Sequence, residues 1–243
     1  DSKLMPSVDS PILPASITGL STLQLLDLTY LDLVGPIPSL ATLTDLSHLA
    51  IVAGLDSSPT GTLEGLAWLS SLTKLQILNL QYLTAFTGDL SSLHILSHLR
   101  KLQQLKLRRL NNATGEIPRE LQYLTALTVL DLSYLRFVEF PIWVTRLTNL
   151  QYLDVRADYP HRQGRLLNDD LSQLTALTSL ILYGNNLEGY LPNSWTNLVH
   201  LQELSVTVYR TNLPSCHVAV QRFSLNKYPK KQAERLEMNF YSP

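Results

Sequence analysis

Three cations fall within four positions at Lys106, Arg108 and Arg109. Steps of 23 to 27 residues bring Tyr82, then Asp131 and Tyr134, then Asp154 and Arg156, into matching places on either side. Arginine beside tyrosine is the composition of a binding hot spot, since each offers a broad flat surface with a polar edge. The same residues also suit a solvated sheet face whose opposite charges partly neutralise one another. Other chemistry-bearing residues are less well assembled. His94 and His98 have the spacing of a helical metal pair, but no third ligand and no adjacent Glu accompany them, so they read as surface histidines. Cys216 and His217 are neighbours in sequence, which does not set a base on a nucleophile, and Cys216 reads as a buried structural thiol. Asn112-Ala113-Thr114 is the one N-x-S/T sequon, a glycan acceptor if the chain is secreted. No glycine-rich phosphate loop, metal constellation or Ser/His/Asp set emerges, so the expectation is a protein without catalysis or cofactor.

The cations and tyrosines are positioned by a repeat. Eight copies of L-x-x-L-x-L begin at Leu23, Leu46, Leu75, Leu102, Leu127, Leu150, Leu177 and Leu201, in steps of 23 to 29 residues. A period of that length signals a solenoid whose copies bury their apolar faces on one another. The last two anchors of each copy, such as Leu105 and Leu107 or Leu130 and Leu132, are two apart and share one face of a short strand. Residues between and just after those anchors then lie on the opposite, concave face. One row reads Asp27, Ala50, Asn79, Lys106, Asp131, Asp154, Ile181 and Ser205; the next reads Thr29, Val52, Gln81, Arg108, Ser133, Arg156, Tyr183 and Thr207. Ahead of the strands, apolar residues recur at three-residue spacing, as in Leu66, Leu69 and Leu72, which predicts a 3₁₀-like or irregular convex side. Behind them, turns close on Gly-x-Ile/Leu, and four of these connections are lengthened: Gly54 to Gly61, Leu83 to Gly88, Leu110 to Gly115 and Asp158 to Gly164. Insertions on one edge of a solenoid mark its binding side or simple loop drift.

The copy from Leu177 to Pro192 reads L-x-x-L-x-L-x-x-N-x-L-x-G-x-L-P, and on it the chain resembles the plant-type leucine-rich repeats. The resemblance, from about Leu13 to Leu213, implies an α/β solenoid: a right-handed horseshoe or superhelix with a parallel concave β-sheet and a 3₁₀ or irregular convex side. It also implies an extracellular or cell-surface setting. The family's Asn, which satisfies turn backbone groups, is replaced here by Leu31, Gly54, Leu83, Leu110, Leu135, Asp158 and Tyr209, and stands only at Asn185. The displaced backbone groups are therefore expected to bond to neighbouring strands or water. The cysteine caps usual at the cell surface are missing, since Cys216 is the single cysteine.

Composition narrows the function classes. Of 243 residues 45% are hydrophobic and 16% charged, ample for a core, and the net charge of −1 excludes a globally basic nucleic-acid binder. No apolar run approaches the ~20 residues that span a bilayer. The start at Asp1, with neither initiator Met nor apolar signal core, is expected of a processed chain or a piece of a longer one. We divide the sequence into an N-terminal edge or tail of a preceding repeat (1–19), eight repeats (20–213) and a C-terminal cap (214–243). The function expected is recognition of a protein partner through Tyr82, Lys106, Arg108, Arg109, Asp131, Tyr134, Asp154 and Arg156 and the lengthened loops. A subunit that self-assembles, or a polysaccharide binder stacking sugars on Tyr30, Tyr82, Tyr134 and Tyr152, are the alternatives.

Overall fold

The computed structural model describes residues 12–31, 33–54, 59–137, 139–157, 169–185, 187–188, 192–209 and 219–224. In chain order the strands are β1 (Leu25–Thr29), β2 (His48–Val52), β3 (Gly61–Thr62), β4 (Ile77–Gln81), β5 (Phe86–Asp89), β6 (Gln104–Lys106), β7 (Asn112–Thr114), β8 (Val129–Asp131), β9 (Tyr152–Asp154), β10 (Ser179–Ile181), β11 (Leu187–Glu188), β12 (Glu203–Tyr209) and β13 (Ala219–Ser224). One parallel sheet runs β1-β2-β4-β6-β8-β9-β10-β12, each strand paired with the corresponding strand of the next repeat. Its register puts leucine on leucine: Leu26, Leu49, Leu78, Leu105, Leu130, Leu153, Leu180 and Leu204 are successive partners. Strands this short hold no structure alone, and this column supplies what they lack, roughly 1.5–3 kcal/mol for each fully buried leucine. Leu132, in the middle of the column of third anchors, is wholly buried, as are Leu107 and Leu182.

The three-residue apolar spacing gives 3₁₀ turns, as expected. They lie at Ala15–Gly19, Glu64–Ser71, Leu90–His98, Arg119–Tyr123, Ile142–Arg146, Asp169–Gln173 and Asn193–Asn197. The N–H of Leu72 bonds Leu69 O, that of Leu99 bonds Leu96 O and that of Leu124 bonds Leu121 O. An i→i+3 bond repeats with the same period as the leucines, so each turn keeps one apolar edge on the core. The fold is the leucine-rich solenoid expected, with its sheet on one side and 3₁₀ turns on the other.

Three of the four lengthened connections are not simple loops. Their described parts form a second parallel sheet, β3-β5-β7, extended by single bridges between Pro36 and Thr60 and between Thr114 and Arg136. Its geometry depends on short side chains between neighbouring turns. At Gly88, with φ of 113°, a Cβ would stand 2.6 Å from the Glu64 carboxylate, which there accepts from Asp89 N at 3.2 Å and Ser92 Oγ at 3.0 Å. A period-2 signal over two to four residues is too short to read in sequence, which is why these strands looked like insertions. The fourth connection, Asp158 to Gly164, lies outside the described residues, as do Cys216, His217, the first eleven residues and all of 214–243 except β13. That strand pairs antiparallel with β12.

Candidate recognition face

In five of the copies the chain makes one more residue of the concave row after the third anchor and then turns sharply. The turning residues Tyr30, Tyr82, Arg109 and Tyr134 have φ of 57° to 60°, in the left-handed region, and Gly184 at 77° holds the equivalent place. Glycine adopts that conformation freely; a bulky side chain held there costs about 1–3 kcal/mol. The turn is pinned by bonds to the next strand: Tyr82 N to Arg108 O at 2.8 Å, Arg109 N to Ser133 O at 3.1 Å, Tyr134 N to Arg156 O at 2.8 Å. These bonds occupy the turn N–H groups, whereas the asparagine of the complete copy serves carbonyls. In its place Leu83, Leu110 and Leu135 are buried in the core. Where the motif is complete, Asn185 Nδ2 donates to Val155 O at 2.8 Å and to Leu182 O at 2.7 Å.

The strained turns and the row before them deliver one continuous band of rings and guanidinium groups. Arg108 lies 5.4 Å from the Tyr82 ring centre and 5.0 Å from that of Tyr134. Arg109 lies 5.8 Å and 4.7 Å from the same two rings. Arg156 continues the series between Tyr134, at 5.9 Å, and Tyr183, at 5.4 Å. Such contacts are worth ~0.5–2 kcal/mol each, rising as water is excluded. All six side chains are half-buried. The Tyr134 and Tyr183 hydroxyls are 3.1 Å apart, and Arg156 Nη1 donates to Tyr183 Oη at 3.3 Å. Burial raises the Tyr183 pKa, but the bonds to Tyr134 and Arg156 outweigh it and the phenol titrates below its ordinary value.

Beneath the band lie two carboxylates expected on the solvent face. That expectation is corrected here: Asp131 and Asp154 are both buried, and so are Ala50, Ile181 and Ser205 of their row. Arg156 lies across Asp154, its Nε 2.9 Å and 2.7 Å from the two carboxylate oxygens and its Nη2 also bonded to Oδ2. Tyr152 Oη adds a bond of 3.1 Å to Oδ2. Arg156 is held charged first by its hydrogen bond to Asp154. Burial, and then the Asp154 charge, push the Tyr152 phenol upward. Asp131 pairs in register with Lys106 on β6 and Asp154 on β9 and accepts from Ser133 N at 2.9 Å. Burial raises its carboxyl above the usual range and the Asp154 charge adds to this, while Ser133 and Arg108 pull the other way.

Of the residues singled out in sequence, Tyr82, Arg108, Arg109, Tyr134 and Arg156 come together in the band. Lys106 is half-buried on β6, with neither ion pair nor ring contact among the described residues. Tyr183 completes the band; its sequence signal is its place in the row of Arg108 and Arg156. Tyr152, expected only as a sugar-stacking surface, instead bonds Asp154. Asn112 stands apart, exposed on β7, with Nδ2 donating to Thr84 O at 2.8 Å. Arg100 is also separate, over the Tyr123 ring at 5.0 Å and bonded to Tyr123 O. His94 and His98 are exposed on a 3₁₀ turn, each with Nδ1 within 3.0 Å of a carbonyl three residues back. Among the described residues no cluster of His, Cys, Asp and Glu could hold a metal, and no helix is long and apolar enough to cross a membrane.

Comparison with known proteins agrees with this architecture. The family described as Leucine Rich Repeat matches residues 176–198. An adenylate cyclase of Schizosaccharomyces pombe is 29% identical over 134 residues, 51% of this chain and 8% of its own length. Among solved structures, the LRR ectodomain of the membrane receptor kinase GASSHO1/SCHENGEN3 from Arabidopsis thaliana, in complex with CASPARIAN STRIP INTEGRITY FACTOR 2, aligns at TM-score 0.61 and 27% identity over 81% of this chain and 23% of that one. The Arabidopsis receptor kinase HAESA, in complex with the peptide hormone IDA and the co-receptor SERK1, aligns at 0.60 and 25% identity over 82% of this chain and 31% of its own. The plant peptide hormone receptor RGFR1, in complex with RGF2, aligns at 0.61 and 25% identity over 79% and 29%. The chain thus spans under a third of those ectodomains and under a tenth of the cyclase. With the repeat, the register and these neighbours in place, the chain is a leucine-rich-repeat protein with repeats of the plant type.

Proposed function

We propose that this solenoid is a non-catalytic recognition module that takes an extended segment of a protein partner along its concave face. The band from Tyr82 through Arg108, Arg109, Tyr134 and Arg156 to Tyr183 would make the contacts, with Lys106, Asp131 and Asp154 setting the charge around it. The observation that carries this reading is the unbroken ring–guanidinium alternation over five adjacent repeats. A sheet that only needs to be wetted gains nothing from bulky residues in left-handed turns, whereas strain of this kind collects at binding sites. Neighbouring ectodomains solved with peptide hormones support the same use of the fold. In this reading residues 20–213 form eight repeats between an N-terminal edge and a C-terminal closing stretch. The setting is extracellular or at a cell surface, and the exposed Asn112 is the glycan acceptor.

Selection of a random peptide library on the wild-type protein tests it. Binders are expected to be lost on the double change Arg108→Ala/Tyr134→Ala and kept on the convex change Arg146→Gln. Binders indifferent to the double change would remove the concave face from the function.

One observation favours a second reading, assembly with further copies or subunits. Among the described residues β1 ends the main sheet, and Ile12, Leu20, Leu25 and Tyr30 near it are exposed. An exposed apolar strand edge invites pairing. Light scattering that stays monomeric at high concentration would dismiss it.

A further inference from the structure

The charges in the band are unevenly served. Arg156 is locked to Asp154 by three hydrogen bonds between the two side chains. Among the described residues Lys106 and Arg108 have no ion pair. Arg108 Nε is buried with no hydrogen-bond partner, so two tyrosine faces and the charge of Asp131 are what hold the guanidinium. A buried donor left without an acceptor is costly, and an arriving acceptor relieves that cost. Asp131 is a poor internal counter-ion: it is buried, with Lys106 and Asp154 as its register neighbours, Arg108 and Tyr152 within reach of its charge, and Ser133 two residues on. Arg108, whose charge acts on Asp131, and Lys106, its register neighbour, are therefore left with one reluctant carboxylate beside them.

Resting on the reading of the concave face as a peptide groove, we propose that its occupant is acidic. One carboxylate of an extended peptide is seated by Lys106 and Arg108 between Tyr82 and Tyr134, in competition with Asp131 for the same cations. A guanidinium flanked by rings is partly dehydrated, so a charge-assisted bond to it is stronger than one made in open water. An acidic polysaccharide would meet the same cations, but sugar stacking needs free ring faces, and guanidinium groups from both neighbouring repeats already lie against Tyr134. A nucleic acid is disfavoured by a chain whose net charge is −1.

The test titrates the full chain with three fluorescent probes: end-blocked hexaglutamate, end-blocked hexaglutamine and an oligogalacturonate. Hexaglutamate is expected to bind at least about ten-fold more tightly than hexaglutamine, with the difference shrinking as salt rises. Arg108→Gln should remove that preference, Arg108→Lys should keep part of it, and Asp131→Asn should tighten hexaglutamate binding several-fold by removing the internal competitor. Equal binding of the two peptides, no binding of either, a preference untouched by Arg108→Gln, or tighter binding of oligogalacturonate would each overturn the proposal. Should Arg108→Gln fail to fold, Asp131→Asn decides: unchanged or weaker hexaglutamate binding overturns it. Library binders that depend on the concave face but carry no excess of Asp or Glu would sink the acidic occupant while leaving the peptide groove intact.

Discussion

The repeat ending at Gly184-Asn185 and the three ending at Tyr82-Leu83, Arg109-Leu110 and Tyr134-Leu135 fold the same turn with opposite materials. In the first, glycine takes the left-handed position and Asn185 bridges two carbonyls, so the turn is relaxed and internally bonded. Glycine is needed there, because a Cβ at Gly184 would stand 1.8 Å from Ala157 O. In the other three, the left-handed position carries the largest side chains of the band and the asparagine slot is filled with buried leucine. The turn holds because its N–H is bonded to the next strand and its leucine is driven into the core, not because the local sequence favours it. The difference teaches that the asparagine is one way of fixing this turn and that hydrophobic burial is another. The second way frees the turn to present arginine and tyrosine.

Both kinds of turn hang on one leucine spine, and breaking that spine should erase the distinction. Leu132→Asp places a carboxylate in a wholly buried column, losing ~1.5–3 kcal/mol of burial and adding a larger cost for the unpaired charge. The expected outcome is loss of folding over several repeats, seen as collapse of the far-ultraviolet signal and of cooperative melting. A soluble variant melting at the wild-type temperature would show that the repeats do not depend on one another. Next in size is Gly184→Ala, which must shift the backbone at Ala157 and is expected to cost about 1–3 kcal/mol, measured by urea unfolding. No change would mean that the complete motif is no more constrained than its substitutes.

The spine was legible because leucine identity and spacing are set by burial, which repeats without regard to what surrounds it. Leu26, Leu49, Leu78 and Leu105 can be aligned by eye. The second sheet was not legible, since Gly61–Thr62 and Asn112–Thr114 are paired by backbone bonds that leave little trace in side-chain pattern. The site was half legible. Rows of residues follow from the strand period, so Arg108, Tyr134 and Arg156 could be placed on one face. Whether a given residue in a row meets water is decided by the neighbours that lie over it. Asp154 is covered because Arg156 and Tyr152 bond to it, and nothing in the spacing says that they will.

Asp131 separates the burdened region from the relaxed one in a way that pH can read. Its carboxyl is raised, by burial first and by Asp154 second, so the folded state resists its ionisation. Below the ordinary carboxylate range Asp131 is protonated folded or unfolded and contributes no penalty. As pH rises from about 3.9, the unfolded chain loses this proton first, and stability falls until the folded carboxyl has also ionised. Asp131→Asn keeps an acceptor for Ser133 N and removes the charge. Its thermal midpoint should exceed that of the wild type by a few degrees at neutral pH and converge with it in acid. Asp27, Glu64 and Asp89, whose carboxyls are lowered by hydrogen bonds to Thr29, to backbone N–H groups and to Ser91, act in the opposite sense. They stabilise above the ordinary range and lose that stabilisation as pH falls, equally in both proteins, so the difference between the two curves isolates Asp131. Parallel curves at all pH would mean that Lys106 and Arg108 already satisfy the carboxylate.

The smallest effect is the most discriminating. Arg109→Gly gives the strained turn the residue that the relaxed one has, recovering about 1–3 kcal/mol of backbone strain while giving up two ring contacts of roughly 0.5–2 kcal/mol each. The opposing changes should leave stability within ~1 kcal/mol of wild type in urea, yet binding of concave-face peptides should weaken. A variant that is clearly less stable and still binds would show that the arginine at this turn props the fold. A variant of wild-type stability that has lost its ligand would show that the strain is kept for the surface it presents.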